Sequence, residues 1–197
     1  GCRSLSDSSD GYACMVQHIA KLLDWLVERF GAKVVFIPHC IEPYFDRDDR
    51  KVHLDIYRQM IRKDGAVLLL REHSVGELKD LLGKLNLLIT SRVHAATGAL
   101  AENVPVIGLT SKHDRRMLNL IGINFGMKDW IFYVEELTPT TLKEAFAKLL
   151  QNREEIRWKL ARRNKLLLRL SLVNVVLSRN LLESYGVTAR ARIEHCK

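Results

Sequence analysis

Arg92 and His94 stand two residues apart between two apolar runs, within Leu87–Leu109, LLITSRVHAATGALAENVPVIGL. An arginine can hold a carboxylate or phosphate through two parallel N–H bonds, and an imidazole can give or take a proton near neutral pH. Lys112 and His113 form a second cation–imidazole pair further on, and His39 follows another apolar run, KVVFIP. Side chains of these types gathered in one place would bind an anion and move a proton beside it. The bland alternative is a solvated loop charge at Arg92 and a capping or semi-buried histidine at His94.

Whether they gather depends on the elements around them. Leu87–Thr90 is too short for a helix and too apolar for a surface strand, so it fits the buried centre of a parallel sheet. Val104–Leu109 fits the next strand, with Pro105 at its entry where no ladder bond is lost. Ala95, Ala96, Ala99 and Ala101 favour a short helix between them, small enough to pack closely on the sheet. Arg92 and His94 then sit at the carboxyl end of a strand and the amino end of a helix. In open α/β sheets this is the rim where ligands bind, and the helix end offers free N–H groups to an anion.

The rest of the chain repeats the pattern. Tyr12–Phe30 carries Met15, Ile19, Leu22, Leu23, Leu26 and Val27 at helical spacing, and Gly31 stops it as a C-cap would. Lys33–Ile37 reads as a buried strand that brings His39 to the same rim. Glu42–Arg50 reads as a mixed-charge loop; Asp46-Arg47-Asp48 matches a metal-binding Asp-x-Asp only weakly, the solvated loop is favoured, and one of these aspartates is open to a sugar hydroxyl. A helix over Val52–Arg62 and a strand over Ala66–Leu70 follow. Ser74-Val75-Gly76-Glu77 is a capping box ahead of Leu78, Leu81, Leu82 and Leu85. Asp114 can cap a helix over Arg115–Ile121, leaving Lys112 and His113 at the rim. Trp130–Tyr133 reads as a last strand and Thr141–Glu144 as the cap of a helix to Leu150. The order describes a doubly wound α/β fold, Rossmann-like, with a mostly parallel sheet and helices on both faces.

From Glu154 a near-heptad stripe of Ile156, Leu160, Leu167, Leu170, Leu177 and Leu181 runs through a basic segment. Eight Lys/Arg against two Glu over Arg153–Arg179 give +6 of the chain's formal +8. A helix packing back on another domain is the favoured reading, and a basic helix lying on a membrane surface is the alternative. The division expected is 1–150 for a donor-binding domain and 151–197 for a helical extension of it. With 197 residues, 47% hydrophobic and 27% charged, the chain has the composition of an ordinary globular protein. The basic balance alone permits nucleic acid, but no zinc-finger spacing, RNA-recognition signature or aromatic platform accompanies it, so no nucleic acid is expected. Cys2, Cys14, Cys40 and Cys196 lie far apart without a Cys-x-x-Cys pair, which fits free thiols rather than a disulfide framework or a zinc site. No metal and no cofactor is expected. The polar start is no signal peptide and no stretch reaches membrane-spanning length, so a cytoplasmic place is expected, with the inner membrane surface in reach of the basic helix.

The run ELKDLLGKLNLLITSRVHAATGALAENVPVIGLTSKHDRRMLNLIGI, Glu77–Ile123, resembles the signature region of the polysaccharide pyruvyl transferase family, and KVVFIPH before an acidic loop and helix is similar too. The resemblance covers roughly the whole chain as the carboxyl-terminal half of such a protein, one half of a B-type glycosyltransferase architecture. It implies transfer of pyruvate from phosphoenolpyruvate to two hydroxyls of a saccharide acceptor as a ketal. His94 would then be the proton-transfer residue, with Arg92, Lys112, His39 and Arg3 on the donor side. Relatives most often carry a leucine where Val93 stands, a conservative departure. Two other readings stay open. One is the nucleotide-sugar half of a B-type glycosyltransferase, against which speaks Gly98 where retaining members place a glutamate; the other is a non-catalytic interaction domain.

Overall fold

A computed structural model describes residues 9–42 and 48–185. The chain alternates helix and strand: α1 (Ser9–Phe30), β1 (Val34–Phe36), α2 (Asp49–Gln59), β2 (Ala66–Leu68), α3 (Val75–Gly83), β3 (Leu88–Thr90), α4 (Val93–Ala101), β4 (Val106–Thr110), β5 (Ile131–Tyr133), α5 (Pro139–Gln151) and α6 (Arg153–Ser184). It is a mixed α/β fold with parallel strands, as the hydrophobic pattern requires.

The local causes are readable. Gly31 takes φ +60°, its N–H meeting Val27 O at 3.0 Å and that of Ala32 meeting Leu26 O at 3.3 Å, which closes α1 with a left-handed cap. Ser74 and Glu77 form the expected reciprocal capping box. The cap of α5 falls three residues earlier than expected, on Thr138 with Thr141, because Pro139 is pre-set for a first helical position. After β4 the expected α-helix is instead a widened π turn over Leu118–Ile123.

The strand pairing differs from one continuous doubly wound sheet. β1 pairs with β2, and β3 with β4 and β4 with β5, all parallel, as two short sheets. No backbone ladder joins β1 to β3 among the described residues. Strands of three residues carry few ladder bonds, so side chains at the junction take over part of the tie. One apolar core still serves both sheets, from Leu22 and Leu26 of α1 through Phe36 to Leu100, Ile107 and Leu142. In α4, Ala95, Ala96, Ala99 and Leu100 are fully buried, and an added β-carbon on Gly98 would stand 3.0 Å from Leu82 Cδ1 of α3. The small residues therefore set how closely α4 approaches α3.

α6 packs only through its start. Ile156 and Leu160 are buried, Asn164 Nδ2 donates to Leu100 O at 2.8 Å, and Arg163 donates to the carbonyls of Ile123 and Asn124. Beyond the half-buried Leu167 the stripe is uncovered, with Leu170 and Leu177 more than half exposed. No helix among the described residues is long and apolar enough to cross a membrane. Cys40 is a free thiol, but Cys14 is disulfide-bonded, against the expectation of free thiols; separation along the chain carries no information on separation in space.

Candidate functional site

The parallel strands β3 and β4 deliver their following loops to one rim, and Asp49 ties the loop after β1 to the same place through His39, Cys40 and Arg92. His39 follows β1, Arg92 and His94 follow β3, and Lys112 and His113 follow β4. Arg92 is the N-cap residue of α4 and makes no side-chain cap bond there; its own N–H is held by Thr90 Oγ1 at 3.0 Å. With no side chain capping them, the first N–H groups of α4 are available to an anion in the way helix starts commonly are. His94 lies on the first turn, exposed.

The guanidinium of Arg92 turns away from the α4 axis toward Asp49. Its Nε and Nη2 donate to Asp49 Oδ1 at 2.9 and 2.6 Å, and this pair holds the arginine above its already high ordinary pKa. Asp49 Oδ2 accepts the backbone N–H groups of His39 and Cys40, both at 3.0 Å. Its own N–H donates back to Cys40 O at 2.9 Å. One carboxylate therefore receives four N–H bonds, about the capacity of the group. Its side chain is 14% exposed, and such a buried charge is tolerable only when bonded this fully.

Asp48, next to it, is the true N-cap of α2. Its Oδ1 accepts Arg50 N–H at 2.9 Å while the Arg50 fork grips both oxygens, so its carboxyl lies below the usual range. The solvated mixed-charge loop expected over Glu42–Arg50 is thus corrected at its end. Asp48 and Asp49 start α2, three residues before the expected Val52, and both carboxylates are engaged by N–H groups of the chain itself. Asp46 lies outside the described residues. Among the described residues no cluster of metal-ligating side chains occurs.

His39 is half-buried with its Nε2 lacking a hydrogen-bond partner among the described residues, and so is His53 Nδ1 on α2. Burial pushes the imidazole of each below its ordinary pKa. For His39 the Asp49 charge opposes this while the charges of Arg92 and His94 add to it. His39 and Arg92 meet through Asp49, and His94 follows Arg92 on the first turn of α4. Lys112 stands one strand further along, in an ion pair with Glu136, while its N–H donates to Glu135 Oε1 at 3.3 Å. Arg3 lies outside the described residues.

Asp49 is the member of this group that reading the sequence left in a surface loop. An acid just before a helix is a legible signal, but its partner lies 43 residues away, and no local pattern announces that.

A family model described as polysaccharide pyruvyl transferase matches residues 10–113, more than half of the chain. The matched span runs from α1 to the turn after β4 and contains Asp49, His39, Arg92, His94 and Lys112. No curated protein and no solved structure gives a significant match.

Proposed function

The chain belongs to the polysaccharide pyruvyl transferase family, and from that premise we propose that it takes phosphoenolpyruvate as donor and a saccharide as acceptor, forming a cyclic pyruvate ketal in polysaccharide synthesis. The observation that carries this reading is the joining of His39 and Arg92 through Asp49 beside the amino end of α4, with His94 on its first turn, inside the matched span. The donor bears a carboxylate and a phosphate on adjacent carbons, so its site needs fixed cations and N–H groups. Arg92 and the first turn of α4 supply them, with Lys112 as a point charge from the next loop.

In the reaction the methylene carbon of the donor gains a proton and becomes a methyl group. Two acceptor oxygens bond to the neighbouring carbon, the bond from that carbon to the phosphate oxygen breaks, and both hydroxyl protons depart. One proton is accounted for by the methyl group and the other leaves with phosphate or a base. His94, exposed at the rim, serves as the carrier, and His39, whose imidazole burial pushes below its ordinary pKa, serves as a donor contact from the loop after β1.

The nucleotide-sugar reading gains nothing from the structure: Gly98 stands where retaining members place a glutamate, and a β-carbon added there would stand 3.0 Å from Leu82 Cδ1 of α3. An interaction domain that kept the fold is favoured by one observation: both Arg92 and Lys112 meet a carboxylate of the chain itself. Calorimetric titration with phosphoenolpyruvate separates the two. Binding that is lost in Arg92→Ala, with His94→Ala losing turnover rather than binding, supports the donor reading; no heat from the unaltered chain removes it.

A further inference from the structure

We infer that Asp49 is a positioning residue of the donor site, acting through Arg92; this deepens the reading just proposed and rests on it. Three facts lead here. The carboxylate sits at the first position of α2, yet its four bonds among the described residues all reach other parts of the rim, two to the loop after β1 and two to the arginine after β3. Those two strands have no backbone ladder between them among the described residues, so this carboxylate clasps the rims of the two sheets. And both Arg92 bonds fall on one oxygen, while both backbone bonds fall on the other, so each oxygen serves one sheet.

The arrangement has a chemical consequence. An arginine that recognises a planar carboxylate or a phosphate must arrive with its fork already oriented, because a long side chain otherwise loses rotamer freedom on binding. Asp49 fixes the guanidinium plane through Nε and Nη2 before any donor arrives. The same carboxylate holds the backbone of His39, so the spacing between the imidazole and the guanidinium is set by one group rather than by two independent loops. Asp49 itself is saturated with donors and does not touch the substrate.

The test is a double-mutant cycle read by calorimetric titration of the full chain with phosphoenolpyruvate. Asp49→Asn keeps the shape and one acceptor oxygen but removes the charge, and is expected to raise Kd by about tenfold. In an Arg92→Lys background, where a cation remains for the donor but the fork that Asp49 orients is gone, the same change is expected to add far less than tenfold. Additive losses would overturn the inference, since they would mean that Asp49 supports the fold or meets the donor on its own. Asp49→Glu, which keeps the charge and displaces it by one methylene, should weaken binding as well; full affinity in that variant counts against positioning.

A second measurement does not depend on the donor. In nitrogen–proton correlation spectra the Arg92 Nε–H signal should exchange slowly in the unaltered chain and broaden or vanish in Asp49→Asn, together with loss of protection at the His39 and Cys40 amides, while the buried Ile56 amide of α2 stays protected. An unchanged Arg92 signal overturns the inference. If the unaltered chain binds no phosphoenolpyruvate, the donor reading fails, and the clasp is decided by this spectrum alone.

Discussion

Tyr12 Oη donates to Asp55 Oδ2 at 2.9 Å, fastening the first turn of α1 to the middle of α2. Burial, then the bond to Asp55 and its charge, push the phenol up to about 12. The folded value lies above the unfolded one, so the contribution is fully present below about pH 10 and is lost as pH rises toward 12. An absorbance titration of the chain should show a late component that Tyr12→Phe removes and Asp55→Asn moves to lower pH. The phenylalanine variant should lose about 1 kcal/mol of stability. A titration curve identical to that of the unaltered chain would count against this contact.

Gly98 sets the distance between α3 and α4. A β-carbon there meets only the end of the Leu82 side chain at 3.0 Å, which can shift slightly, and alanine gains helix propensity. Gly98→Ala should therefore stay within about 1 kcal/mol of the unaltered chain in urea unfolding. Gly98→Glu must place a carboxylate against a buried leucine and should cost about 2 kcal/mol or more. Equal stability of the glutamate variant would mean that the helices stand further apart than described.

Asp114 is held at about 2 by the side chain of Arg116, with the Arg116 backbone N–H second. Its folded value is depressed, so the stabilisation is present above the unfolded value near 4 and fades as pH falls toward 2. Asp114→Asn should destabilise the chain at pH 6 but very little at pH 2, as measured by denaturant unfolding at both. The same loss at the two pH values would remove the ion pair as the cause.

Lys112 and Glu136 are both at least half exposed. Their pair should therefore contribute little to stability, and Glu136→Gln should leave the thermal unfolding midpoint essentially unchanged. Its effect should appear instead in donor binding. With its carboxylate removed, Lys112 offers its full charge, and phosphoenolpyruvate should bind several-fold tighter, an increase that Lys112→Ala abolishes. Unaltered affinity in Glu136→Gln would take Lys112 out of the donor site.

The strands and helices were largely legible because burial writes periodicity into the chain. KVVFI, LLIT and the Val-Pro-Val run each appear as strands within a residue or two of their expected ends, and the alanines of α4 are buried as their size implies. The positions of Arg92, His94 and Lys112 after β3 and β4 follow from the alternation of strand and helix, whereas that of His39 near Arg92 depends on Asp49. What was not legible depended on distant partners. Charges interleaved over Asp46–Arg50 look solvated from their neighbours, yet Asp48 is buried as a cap and Asp49 closes on Arg92. Strand pairing, too, is a long-range property: apolar runs fix which segments are strands but not whether β1 reaches β3. The stripe on α6 marked an amphipathic face without saying how much of it is covered.

The carboxylates that meet Arg92 and Lys112 also decide where the molecule's excess positive charge is felt. Each cancels one cation at the rim, while eight of the chain's Lys/Arg lie along Arg153–Arg179, on a helix fastened by Asn164 to the end of α4 opposite His94. Ionic screening reaches only about 8 Å at physiological salt, so that distant charge gives little long-range pull toward the rim. A small anion should then arrive by ordinary diffusion, with an association rate that added salt hardly changes. Retention of the chain on a cation exchanger should by contrast be strong, salt-sensitive and traceable to α6.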